Sequence, residues 1–211
     1  MFLKRQHISQ IPRTQTGVAL IEALVAVLIL SIGVLGMVGM QSASIRYEQN
    51  SWARSAVSSQ VGDIADRIRA NPNAAVDAYV KTNTYASERS SINTDATYLV
   101  SAVNCLTTIC TPAQLAIYDM VEWRKSLNKL VPGSVGIVSG TSTTAYAVTI
   151  AWFDKSWVKP EELGNTNVTY EKAPTCTAAS LQVTARNCCP AALGAATAMA
   201  GVRCVNFMVI P

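Results

Sequence analysis

From Val18 to Met40 the chain is apolar at nearly every position, and Glu22 is the only ionisable side chain in that stretch. At about 1.5 Å per residue such a run rises roughly 35 Å as a helix, enough to cross the hydrocarbon core of a bilayer with slight tilt. The pattern then becomes amphipathic without a break. Gln41 to Ala70 contains no proline and only one glycine, Gly62, and it sets Ile45, Trp52, Ala56, Val61, Ile64, Ala65 and Ile68 at mostly helical separations. Asn71-Pro72-Asn73 stops it. The spacing predicts one helix over 18–71, roughly 80 Å long, with a transmembrane first half over 18–40.

Beyond Pro72 small and polar residues dominate, and 72–111 reads as an irregular connecting region with a short helix near Ala74 to Lys81. A second helix is predicted over 112–131. Thr111 is its N-cap, Pro112 fills the first turn, and Leu115, Met120, Trp123, Leu127 and Leu130 form its apolar stripe. Pro132-Gly133 ends it. Strands are expected at Ser134 to Val138, Ala145 to Phe153 and Gly201 to Ile210, with a turn over Ser139 to Thr144. The fold class is α+β: a long N-terminal helix packed by a small antiparallel sheet, with a head domain over 72–211.

A carboxylate inside a membrane span costs on the order of 2.5 to 3.5 kcal/mol on insertion scales, so Glu22 calls for a partner. The junction before it suggests one. Residues 1–17 carry Lys4, Arg5 and Arg13 with no acid, and the apolar run begins only after Gly17. Cutting there would remove a basic leader and give Val18 a free α-amino group, whose reference pKa of about 7.7 to 8 leaves it largely cationic near neutrality. In lipid, Glu22 of one subunit could face the new amine of another, and their attraction would offset part of both desolvation penalties.

The run Gly17-Val18-Ala19-Leu20-Ile21-Glu22 resembles the class III signal of type IV pilins and pseudopilins. The resemblance implies cleavage after Gly17 by prepilin peptidase, N-methylation of Val18, and an assembly role for Glu22. Val18 and Ala19 depart from the commonest pattern, which has Phe or Met and then Ser or Thr.

Charge and composition narrow the alternatives. The formal charge of +4 includes Lys4, Arg5 and Arg13, so removing the leader leaves +1 and no net basicity to support nucleic-acid binding. Those leader charges hold the N-terminus in the cytoplasm and send the head into the periplasm. Gly33, Gly36 and Gly39 read either as close helix packing, as local loosening of the helix on leaving lipid, or simply as the glycine content of membrane helices.

His7, the sole histidine, lies in the leader, which removes Ser-His-Asp, Cys-His and His-based metal chemistry from the mature chain. No phosphate loop or dinucleotide glycine pattern is present. Asp154, Glu161, Glu162 and Glu171 cluster in sequence but read as a solvated loop around Pro160 rather than a carboxylate pair for hydrolysis. No enzyme, metal or cofactor is expected.

Six cysteines follow the span, and export makes disulfides their default state. Cys105 and Cys110 bracket a short loop able to close on itself. Adjacent Cys188 and Cys189 more readily reach Cys176 and Cys204 than each other, though six cysteines allow fifteen pairings.

Further motifs carry a second resemblance. Asp63-Ile64-Ala65-Asp66-Arg67-Ile68-Arg69-Ala70-Asn71, Trp123-Arg124, Leu130-Val131-Pro132-Gly133 and Ala145 to Asp154 are similar, in order and spacing, to the PilV family of minor pilins. The segment from Lys155 onward is longer and richer in cysteine than that family suggests. The resemblance implies a minor pilin in a complex that primes type IV pilus assembly near the tip. Its partners would be other minor pilins, the major pilin, a tip adhesin, prepilin peptidase and the inner membrane. Two alternatives are a minor pseudopilin of a type II secretion system, and a tip adhesin or DNA-uptake subunit. From the residues alone, Asp63 to Arg69 reads as a solvated helix face with pairs four and three apart, and Trp123 and Trp152 as core aromatics.

Overall fold

The computed structural model describes residues 18–159, 169–180, 182–194 and 200–211. It divides into two compact units, one up to Tyr47 and one over Glu48–Pro211. Helix α1, Val18–Ala70, contributes to both. Its last turn carries Arg67 and Arg69, cations placed where the helix dipole is negative.

The second unit is an antiparallel sheet with helices on one face and a disulfide-linked tail on the other. Strands β1, Val135–Thr141, β2, Ala145–Phe153, and β3, Val202–Val209, pair in the order β1-β2-β3. The registers set Val138 opposite Val148, and Ile150 opposite Val205. Period-two alternation sends Tyr146, Val148, Ile150 and Trp152 to one side, where they are buried with Val57, Val61, Ile64 and Ile68 of α1. Helix α3, Pro112–Leu130, adds Ala116, Met120, Trp123 and Leu127 to the same core. Trp123 also donates its indole N–H to the Gln60 carbonyl over 2.8 Å. A Cβ at Gly136 would stand 2.4 Å from the Trp123 ring, so β1 approaches α3 this closely only with glycine there.

On the opposite side Val135, Ile137, Ala151, Val202 and Cys204 pack with Cys189 and Leu193 from the tail. The tail contributes helix α4, Gln182–Asn187, and a 3-10 turn at Ala191–Leu193. Asn206 in β3 fastens it, donating from Nδ2 to the carbonyls of Ala185 and Cys188, both at 2.8 Å, and accepting from Thr149 at 2.7 Å. The cysteine-rich segment is therefore a wall of the sheet rather than an appendage.

The connecting region differs from its expectation. No helix forms near Ala74 to Lys81, which is a run of turns. Lys81 instead exchanges two backbone hydrogen bonds with Val138, at 2.8 and 3.0 Å, and this pairing demands extended chain. A helix, α2, forms later, at Tyr85–Thr94, with Thr84 as N-cap accepting from the Ser87 amide. Strand β1 also runs past Val138 to Thr141, because Gly140, at φ +94°, bends into the hairpin where a Cβ would meet the Ala145 carbonyl oxygen at 2.3 Å.

Candidate assembly segment and the polar ties of the head

In the first unit, Leu20–Gln41 is a helix long and apolar enough to cross a membrane, and none of it is buried within the chain. Leu20, Ile29, Leu35 and Met40 are 74 %, 64 %, 71 % and 77 % exposed, so the side chains point outward all round the helix. A contiguous apolar surface of this extent is not left to water in a folded protein; lipid or other protein covers it. Ser31 satisfies its hydroxyl internally, donating to the Leu28 carbonyl at 2.7 Å. A Cβ at Gly33, Gly36 or Gly39 would meet nothing within 4 Å, so packing within this chain does not require glycine at these positions.

Glu22 lies exposed one turn into this helix. Among the described residues no ion pair includes it. Val18 opens α1, and Gly17 lies outside the described residues.

Three polar ties hold the second unit together. At the first, Arg67 bonds Asp63 within α1 and Asp119 on α3, both at 3.0 Å. Tyr79 donates to Asp119 at 2.9 Å, and Asn71 donates to Tyr79 and to the Pro112 carbonyl. Burial pushes the Tyr79 hydroxyl well above its ordinary value, and the Asp119 charge adds to the rise. For Arg67 burial acts downward, but bonds and charge from Asp63 and Asp119 outweigh it and raise the pKa. The Asp63 to Arg69 face is thus only partly solvated. Arg69 and Asp66 stay exposed at 3.6 Å from each other, while Arg67 is a strut between helices.

The second tie joins α2 to α3. Arg124 lies directly against Glu88, and the two are 6 % and 1 % exposed. Tyr98 donates to Glu88 at 2.6 Å, Asn83 donates to it at 2.8 Å, and the Arg124 guanidinium sits 5.0 Å from the centre of the Tyr98 ring. Burial pushes Arg124 down to about 10, still far above neutrality. At the third tie Arg203 forms an ion pair with Asp154 at 2.6 Å and stacks 4.6 Å from the Trp157 ring centre. Asp154 is therefore engaged rather than part of an open carboxylate cluster; Glu161 and Glu162 lie outside the described residues.

Disulfides join Cys105 to Cys110, Cys176 to Cys188, and Cys189 to Cys204. The adjacent cysteines 188 and 189 point to different partners, one within the tail and one on β3, and together they clamp α4 to the sheet.

Residues 39–121 match the family model Tt1218-like, described as type IV pilin Tt1218. The match supports a type IV pilin. It covers less than half of the chain, running from the end of the apolar helix through α2 and the Cys105–Cys110 loop into α3. No curated protein and no solved structure matches the chain. A type IV pilin is a structural subunit that assembles with other pilins in a pilus, and the α+β fold with an apolar N-terminal helix is consistent with that and with membrane anchoring. Sequence reasoning singled out Glu22 but missed Asp119, Glu88 and Tyr79, whose roles arise only once α1, α2 and α3 are packed. Thr84 followed by Ser87 and Glu88 was the one local signal for α2.

Proposed function

We propose that the chain is a minor pilin of the PilV type. Prepilin peptidase cuts it after Gly17 and its new N-terminus at Val18 is methylated. It anchors in the inner membrane with its head in the periplasm, then joins other minor pilins, the major pilin and a tip adhesin in the complex that primes type IV pilus assembly. The observation that carries this reading is an apolar helix exposed all round, with the single charge Glu22 near its start, continuous with a segment similar to a type IV pilin. In a bundle of such helices Glu22 would meet the Val18 amine of a neighbour, which repays the cost of placing it in lipid. The role in priming and the position near the tip rest on the sequence resemblance.

Deleting the chain tests the reading. Surface piliation and twitching are lost while exoprotein release continues; intact pili with failed secretion would overturn it in favour of a secretion pseudopilin. Glu22→Gln, which keeps size and removes charge, leaves the precursor cleaved but lowers piliation.

A further inference from the structure

One face of the second unit holds a cleft of about 400 Å³. It is lined by Arg54 and Val57 of α1, Trp152 of β2 and Phe207 of β3, together with Trp157 and Arg203. This volume and this lining, mostly aliphatic and aromatic with a few polar groups, are those of small-ligand sites.

The charges at the rim restrict what fits. Arg203 is already neutralised by Asp154 and held in place by Trp157. Arg54 is exposed, and among the described residues no ion pair includes it. Both guanidiniums line the cleft. Burial lowers the pKa of Arg203, Asp154 opposes the fall, and the Arg54 charge adds to it. One uncompensated positive charge over an apolar, aromatic floor suits one anionic group on an apolar body. A polyanion such as nucleic acid needs several free cations along a track, and among the described residues the cleft offers one.

We propose that this cleft binds a small amphipathic carboxylate, its apolar body against Val57, Trp152 and Phe207 and its carboxylate between Arg54 and Arg203. Guanidinium suits this task because its planar fork takes both carboxylate oxygens at once. Arg203, fixed by its stack on Trp157, supplies a rigid side to the site, and Arg54 supplies the charge that selects an acid over a neutral ligand.

The test is isothermal titration of the full chain in lipid nanodiscs, with empty nanodiscs subtracted, using 3-phenylpropionate and its uncharged analogue 3-phenylpropionamide as probes. The acid is expected to bind about tenfold more tightly than the amide, the gain from one charge-assisted contact. Arg54→Gln lowers the acid to the affinity of the amide, and Arg54→Lys restores part of the difference. Arg54 is exposed, so its replacement spares the fold, and unchanged thermal melting verifies this. Equal binding of acid and amide, binding of neither, or acid binding unaltered by Arg54→Gln would each overturn the proposal. The readout needs no filament, so it is independent of whether the chain assembles into pili.

Discussion

Arg67 Nη1 lies 3.0 Å from Asp119 Oδ1, joining the distal end of α1 to the middle of α3. The contact unites residues 52 positions apart in sequence and places a carboxylate that is 9 % exposed between a guanidinium and the Tyr79 hydroxyl. Asp119→Ala removes the acceptor of both donors. The expected cost is about 1 to 3 kcal/mol, the penalty for stranding partly buried hydrogen-bonding groups. Thermal melting followed by circular dichroism measures it. An unchanged midpoint would show that Asp63, still paired with Arg67, and the Arg67 carbonyl, 3.2 Å from the Tyr79 hydroxyl, absorb the loss.

The Glu88–Arg124 pair is more deeply buried and correspondingly more sensitive. Glu88→Ala leaves an unpaired guanidinium that is 6 % exposed, and breaking a buried pair on one side costs about 3 to 5 kcal/mol. Replacing both partners, with Glu88→Leu and Arg124→Met together, removes the stranded charge and should cost less than the single change. If the double variant melts lower than Glu88→Ala, the ionic contact itself, rather than the avoidance of an orphan charge, holds α2 in place.

The contrast between α2 and α3 explains how much of the head was legible in the sequence. The start of α3 is a local signal: Thr111 Oγ1 accepts from the Gln114 amide at 3.3 Å and Gln114 Oε1 accepts from the Thr111 amide at 2.9 Å, a capping box next to Pro112. Helix α2 contains Ser90, Ser91, Asn93 and Thr94, poor helix formers. It is held by contacts from elsewhere: Glu88 to Arg124, and Tyr85 Oη donating to the Gly133 carbonyl at 2.7 Å. No local pattern announces those. Similarly, the strand Ala145–Phe153 was readable as a run rich in β-branched and aromatic residues. Glu22 stood out because a charge in an apolar run is conspicuous by composition alone, whereas Arg54, Trp157 and Arg203 share a cleft only through tertiary packing.

The disulfides differ in what they secure. Cys189 and Cys204, fifteen residues apart, are both buried and pin the tail to β3, whereas Cys105 and Cys110 close a loop of sequence separation five. In the chain-entropy account the longer loop is worth about 3 kcal/mol and the shorter about 2. Cys189→Ser with Cys204→Ser also places polar groups in an apolar cluster. That pair of changes should therefore lower the melting midpoint more than Cys105→Ser with Cys110→Ser. The reverse order would mean that the tail contributes little to the second core.

Whether this chain enters a fibre as a processed subunit is reported directly by the N-terminus of the assembled protein. Mass spectrometry of the chain recovered from sheared, purified pili should find a polypeptide beginning at Val18, carrying one added methyl group on its α-amine, with Glu22 intact. Recovery from the fibre with residues 1–17 still attached would contradict the claim that cleavage after Gly17 creates the amine that Glu22 meets.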